Sequence, residues 1–265
     1  MTAEIAPQTD RLVWAVADRI RAQKGNDELP GLQALSPMAV SRTINLVQFT
    51  SPDIGEDFIR RRYVYASDEQ ITTYLDEMVR LGLFETAGGR LRPTDSLPPI
   101  LEAFDRAIES SAQLHWQAHA DVVDSVLPLA RHVLEACPKP EMLVSAALTG
   151  PEADDDCQRL YQRLAALRLM RNEAHVRAWK ARGLVPNEVE ILTSAWAGSK
   201  IQSSAEPTES MIERGLVADG VVTDAGLDVR REIEDETNAG VAEAFAAVDQ
   251  AALLAGLRQL PGPLD

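Results

Sequence analysis

The sequence predicts a mainly α protein in which long helices join two small units that each carry a short β-ribbon. Three observations predict this fold class. Apolar residues return every three or four positions along most of the chain, strand-like segments are few and short, and one helix–ribbon–helix pattern occurs twice. The 265 residues, 45% of them hydrophobic and 25% charged, suffice for one large domain or two small ones. This composition is that of a folded globular protein and excludes a disordered or low-complexity chain.

The helical period is present in several separate stretches. They are residues 9–23, 37–48, 68–83, 98–136, 158–182, 186–197 and 226–260. Ser67 followed by Gln70 is a capping-box pattern, and Pro186 followed by Glu188 marks a second helix start. Because Pro128 interrupts the longest stretch, we expect two helices or one kinked helix there.

The repeated pattern is a helix that ends at a glycine, a two-strand ribbon that turns at another glycine, and a further helix. The first copy runs from Met78 through Gly88 to Thr94, and the second from Met211 through Gly220 to Thr223. This is the plan of a winged helix-turn-helix. We therefore predict two winged helix-turn-helix units with short β-wings, joined by long helices.

The predicted units occupy the two ends of the chain. Residues 1–136 would form the first winged-helix unit and a long central helix, and residues 158–265 a long basic helix and the second winged-helix unit. The stretch 137–157 contains three prolines, a glycine and an acidic run, so we expect it to be a linker.

The second copy resembles a known family. The residues from Gly215 through Thr223-Asp224-Ala225-Gly226 to Glu234 resemble the wing and last helix of MarR-type winged-helix regulators. Residues 167–184 (LRLMRNEAHVRAWKARGL) and the following unit resemble a poorly characterised bacterial winged-helix family related to MarR proteins. The resemblance covers about residues 158–260 and implies a ligand-responsive transcriptional regulator.

The distribution of charge weakens the expectation of DNA binding. The chain has 26 Lys and Arg against 41 Asp and Glu, a net charge of −15, and both candidate recognition helices, 67–83 and 203–216, are acidic. If either unit contacts DNA, we expect the first, because it carries cations suited to phosphate: Arg60, Arg61, Arg62, Arg90 and Arg92.

A pair of histidines is a candidate metal or haem site. His115 and His119 are four residues apart, so on a continuous helix both rings would lie on one face. Two imidazoles at this spacing suit a divalent metal or, singly, a haem iron, but no further ligand is close in sequence. The alternative is a pair of histidines at the edge of the core, satisfied by hydrogen bonds.

The basic helix is a candidate ligand site. Its apolar stripe continues into cationic and aromatic residues, which we expect to meet carboxylates, a bound anion or water. Expected carboxylate partners are Glu173, Asp121 and Asp124. A pocket for a small anionic ligand, or for haem with its propionates on the arginines, would be lined by Arg168, Arg171, His175, Trp179 and Trp116. A structural ion-pair network is the alternative.

Other function classes have little support in the sequence. It contains no GxGxxG, P-loop, GxSxG or HExxH motif, and two cysteines are too few for a disulfide framework. It also has no apolar run near the ~20 residues of a membrane helix and no basic secretory start, so we expect a cytoplasmic protein.

Three function hypotheses remain open at this point. The favoured one is a ligand-responsive MarR-like transcriptional regulator. The second is a haem- or metal-dependent enzyme on a winged-helix scaffold that has lost DNA binding. The third is a protein-binding module that uses its acidic C-terminal face. The sequence also leaves a homodimer open.

Overall fold

The computed structural model describes residues 2–23, 60, 62–88, 90–138, 144–145, 152–196 and 205–263. The predicted helix over 37–48 lies outside the described residues, as do Arg61 and residues 203–204. The described chain is mainly helical with two two-stranded antiparallel sheets, which confirms the predicted fold class.

The elements follow in this order: α1 (Thr2–Gln23), α2 (Asp68–Arg80), β1 (Phe84–Ala87), β2 (Arg90–Pro93), α3 (Leu97–Trp116), a 3-10 turn (Gln117–His119), α4 (Ala120–Glu135), α5 (Asp156–Ala181), α6 (Pro186–Trp196), α7 (Glu209–Glu213), β3 (Val217–Ala218), β4 (Val221–Val222), α8 (Asp224–Ala246) and α9 (Gln250–Gln259).

The chain forms two compact units, each assembled from separate stretches. The first unit consists of Met1–Tyr63, Ser67–Met170 and Glu243–Asp265, and the second of Val64–Ala66 and Arg171–Ala242. The domain division predicted from the sequence, 1–136, 137–157 and 158–265, uses continuous stretches of the chain. It stays a prediction.

The first unit contains a helical core in which α1 packs on α3 and α9, and α9 packs on α4. The chain termini are tied into it by hydrogen bonds. The Arg11 guanidinium donates from Nη2 to Leu257 O and Leu260 O, both at 2.9 Å, and so satisfies carbonyls at the end of α9. The fully buried Trp116 donates from Nε1 to Pro261 O at 3.3 Å.

Two helix breaks differ from the sequence prediction. The long stretch 98–136 breaks at the 3-10 turn after Trp116, while Pro128 lies inside α4. The stretch predicted over 226–260 also divides, because Asp249 caps a new helix by accepting from the amides of Ala251 and Ala252 at 3.0 Å.

The second unit packs α6, α7, the β3–β4 ribbon and parts of α5 and α8 around one apolar cluster. Its buried members include Trp179, Leu192, Met211 and Ile233. A buried carboxylate connects two of its helix starts. Glu188, 2% exposed, accepts from Val185 N at 3.0 Å and from the Thr208 hydroxyl, and Thr208 Oγ1 in turn accepts from Met211 N at 3.2 Å.

The repeated pattern is confirmed in the local hydrogen bonds of the two ribbons. Thr94 Oγ1 donates to Gly82 O at 2.5 Å, and Thr223 Oγ1 donates to Gly215 O at 2.6 Å. Both glycines end a helix at positive φ, +70° and +67°, a backbone conformation that favours glycine. Each threonine amide also bonds the carbonyl of the residue after its glycine, Leu83 at 3.1 Å and Leu216 at 3.0 Å.

Candidate functional site

The first wing, β1–β2, presents two arginines on its exposed face. Successive side chains of a strand point to opposite faces, so Arg90 and Arg92 point away from Leu91, which is buried at 6% exposure. The strands turn at Gly88, whose φ is +59°, and Glu85 lies opposite Arg92. The predicted DNA-contacting arginines of the wing therefore lie on its solvent side.

Helix α2, which precedes this wing, is acidic on its exposed side. It begins with the predicted capping box, in which Ser67 Oγ accepts from Gln70 N at 3.2 Å and Gln70 Oε1 from Ser67 N at 2.8 Å. The helix buries Ile71 and Met78. Its exposed residues include three acids, Asp68, Glu69 and Asp76. These carboxylates would repel DNA phosphates, so the wing is the more suitable contact.

The arginines that precede α2 differ in their surroundings. Arg60 is exposed and forms an ion pair with Asp68 at the first residue of α2. Arg62 is half-buried, and burial lowers the pKa of its guanidinium. Arg61 lies outside the described residues.

The second wing, β3–β4, has the same register and a different surface. Val217 pairs with Val222 and Ala218 with Val221, and the turn between the strands is Asp219-Gly220, both at positive φ. Val221 is 66% exposed, and the wing carries no Lys or Arg. In the five-residue α7, Ile212 is 58% exposed, and the helix begins and ends with the exposed acids Glu209 and Glu213. This unit is a poorer match to DNA than the first.

A polar cluster in the second unit contains two of the predicted ligand residues, Arg171 and His175. Glu234 accepts from Arg171 through one carboxylate oxygen and from Arg230 Nη1 at 3.1 Å through the other. Burial raises the pKa of Glu234, and the charges and hydrogen bonds of the two arginines outweigh it, so the pKa lies below its usual value. Arg230, 7% exposed, also donates from Nε to Thr193 Oγ1 at 3.2 Å.

His175 is neutral in this cluster at physiological pH. Burial lowers the pKa of its imidazole to about 4, and the charges of Arg230 and Arg171 act in the same direction. The Thr237 hydroxyl donates its proton to Ile233 O at 2.7 Å, so its oxygen accepts from His175 Nδ1 at 3.2 Å. The lone pair of the neutral ring then lies on Nε2. The cluster thus holds two guanidinium charges against one carboxylate.

The other predicted ligand residues have separate environments. Trp179 is buried in the apolar cluster of the second unit, with its ring 6.2 Å from that of Tyr65. Arg168 and Trp116 belong to the first unit, where Arg168 donates from Nε to Asp10 at 2.8 Å and lies 4.9 Å from the Trp14 ring.

The carboxylate partners of the basic helix correct the sequence expectation. Arg168 pairs with Asp10 of α1. Arg171 pairs with Glu234 of α8, and Arg182 pairs with Glu232 and Glu236 of the same helix. The expectation that Asp121 and Asp124 of α4 would pair with them is wrong. Periodicity places residues on a face of one helix but does not show which other helix packs against it.

The two histidines are not carried by one continuous helix. His115 is buried near the end of α3, and its Nε2 donates to Ala15 O at 3.1 Å; burial lowers the pKa of the ring. His119 ends the 3-10 turn, so the helical geometry assumed for the pair is wrong. Within the part of the chain that the structure describes, no three His, Cys, Asp or Glu side chains are grouped to hold a metal ion.

Sequence reasoning missed Arg230 and Thr237 as members of the polar cluster. Both lie on the buried face of α8, in a stripe with helical spacing that also includes Gly226, Ile233 and Val241. An arginine and a threonine within an otherwise small or apolar stripe were the signal that could have identified them.

None of the described helices alone is both long and apolar enough to cross a membrane, and among them only α8 and α9 together, bent by 102°, satisfy the requirements of length and composition.

Comparison with other proteins identifies a family. No curated protein and no solved structure gives a significant match. A family model described as a helix-turn-helix family matches residues 82–262, which is more than half of the chain and includes both wings. The match supports the predicted helix-turn-helix fold and does not reach the narrower MarR-type assignment. The chain belongs to this helix-turn-helix family.

Proposed function

We propose that the protein is a DNA-binding transcriptional regulator that contacts DNA with its first winged unit. Membership of a helix-turn-helix family favours DNA binding, and the position of Arg90 and Arg92 on the exposed face of β2 is the observation that carries the proposal. Arginine is suited to phosphate contacts and to insertion in a narrow minor groove.

The wing, rather than α2, would make the main contact. The exposed acids of α2 disfavour its close approach to the major groove, whereas the wing strand β2 exposes cations. Arg60, Arg61 and Arg62 would add phosphate contacts. If the wing makes the main contact, affinity comes chiefly from the attraction between its arginines and DNA phosphates. Few side chains then reach the base edges, so we expect only a modest sequence preference.

Fluorescence anisotropy tests this function with two labelled duplexes, one from upstream of the protein's own gene and one unrelated. Binding should weaken as salt rises from about 50 to 200 mM, with a slope that reflects the number of phosphate contacts. Absence of binding to both duplexes at the lowest salt would contradict the proposal.

We further propose that the regulator responds to a small anionic ligand at the polar cluster that contains Arg171 and His175. The support is the charge balance around Glu234, where two guanidinium groups face one carboxylate beside a neutral imidazole. A half-buried site with one excess positive charge favours a carboxylate over a cation or a neutral molecule.

A panel of small carboxylates tests this proposal by the rise in thermal unfolding midpoint that binding causes. Arg171→Met should abolish the rise, since Arg230 remains paired with Glu234 and no excess cation is left. Arg182→Met is the matched control, because Arg182 lies on the same basic segment and pairs with other acids. Equal midpoint shifts in both variants would contradict the assignment.

A further inference from the structure

The two wings allow a comparison of equivalent positions within one chain. The pair at the base of the ribbon is Phe84 with Pro93 in the first wing and Val217 with Val222 in the second. The next pair toward the turn is Glu85 with Arg92 in the first wing and Ala218 with Val221 in the second. A charged cross-strand pair is thus replaced by an apolar pair. Because Val221 is 66% exposed, the replacement adds apolar surface rather than core.

The helices before the wings differ in the same way. The amides of Gly82 and Gly215 bond Val79 O and Ile212 O, both at 2.9 Å, which makes these two residues equivalent. The exposed fraction rises from 37% at Val79 to 58% at Ile212. The next residue changes from Arg80 to Glu213, so an exposed cation becomes an exposed acid.

Three exposed acids lie close in sequence to these apolar residues. We call Ile212, Ala218 and Val221 together with the exposed acids Glu209, Glu213 and Asp219 the acidic wing surface. Arg214 is the one basic residue described between 205 and 224. The two properties that a DNA-contacting wing needs, cations and polar side chains, are both reduced here.

We infer that the acidic wing surface binds a protein segment in which Lys or Arg flank apolar residues, as in a basic amphipathic helix. The apolar residues of such a segment would cover Ile212 and Val221, and its cations would meet the surrounding carboxylates. Charge complementarity selects this occupant. DNA and a second acidic surface of the same chain would both bring like charges together, and the whole chain has a net charge of −15.

The probe for this surface is a fluorescein-labelled peptide of about 18 residues, with Leu on one helical face and Lys on the other. Its affinity for the full chain is measured by anisotropy at about 150 mM salt, where long-range attraction to the acidic chain is screened. A peptide of the same composition in scrambled order is the peptide control.

The decisive variant is Ile212→Ser with Val221→Ser, which keeps every charge and should weaken peptide binding about tenfold or more. Leu114→Ser is the matched control, because Leu114 is 59% exposed on α3 of the first unit; it should bind as the wild type does. All three positions are exposed, so unchanged thermal midpoints establish that the variants are folded.

Several outcomes would overturn the inference. They are equal binding by the double variant and the control, equal binding of the scrambled peptide, loss of DNA binding in the Ser double variant, and loss of self-association in that variant. The last two would assign the surface to DNA or to a second copy. The test is independent of the DNA proposal, because a chain with Arg90→Ala and Arg92→Ala should bind the peptide normally.

Discussion

Val221 occupies in the second wing the place that Arg92 occupies in the first, two residues before a threonine that bonds a helix-ending glycine. The strand pairing and the threonine–glycine hydrogen bond are the same around the two residues. The exposed side chain is a cation in the first wing and an apolar group in the second. One chain thus carries the same motif with two different surfaces, which is why the fold alone does not assign a function to each unit.

Thr223 should contribute to stability through both of its hydrogen bonds. Its hydroxyl donates to Gly215 O and accepts from Gly226 N at 3.2 Å, which caps α8. Thr223→Val should lower the free energy of unfolding by about 1 to 2 kcal/mol. Thr223→Ser retains the hydroxyl and should lie near the wild type in urea unfolding. Equal losses in the two variants would show that the hydroxyl has no such role.

Glu188 should be more important for folding than the exposed acid two residues later. Glu188→Ala leaves Val185 N and the Thr208 hydroxyl without their buried acceptor, and should cost about 2 to 3 kcal/mol in chemical unfolding. Glu190→Ala changes an exposed side chain of the same helix and should cost about 0.5 kcal/mol or less. Similar costs for both would contradict the role of Glu188 in connecting α6 to α7.

His175 should make stability depend on pH between about 4 and 6.5. In this window the unfolded chain, with its usual imidazole pKa of 6.5, binds a proton that the folded chain, with a pKa of about 4, does not. The free energy of unfolding should therefore fall as the pH is lowered through the window, by about 3 kcal/mol in all from this group. The contribution of Glu234, whose pKa is lowered from its usual 4.5, is lost as the pH falls below that value.

The variant His175→Gln isolates this effect. It should reduce the pH dependence above about pH 5 and leave the part contributed by His115, whose pKa burial also lowers. NMR should show the His175 ring of the wild type titrating near pH 4. A His175 ring that titrates near 6.5 would contradict the buried, neutral assignment.

Features encoded by neighbouring residues were predictable from the sequence. The Ser67–Gln70 capping box and the glycine turns at Gly88 and Gly220 depend on residues a few positions apart, so the helix start and both wings could be predicted. Once β2 is assigned as a strand, the alternation of its side chains predicts that Arg90 and Arg92 are exposed.

Features that depend on distant residues were not predictable. The helix breaks after Trp116 at a turn that contains no proline or glycine. The Trp116 indole donates a hydrogen bond to the carbonyl of Pro261, which lies near the other end of the sequence. The partner of Arg171 is Glu234, on a helix about 60 residues later, so no local pattern connects them. The shared helical face predicted for His115 and His119 required a continuous helix, and the chain breaks between them.

The most direct test of the central claim is the DNA affinity of the chain with Arg90→Ala and Arg92→Ala. The matched control is Arg106→Ala with Arg131→Ala, which removes two exposed arginines from α3 and α4 of the same unit. The wing variant should bind duplex DNA at least about tenfold more weakly at low salt, and its salt slope should fall by about two. The control should match the wild type. Equal affinities and salt slopes in the two variants would contradict DNA contact through the first wing.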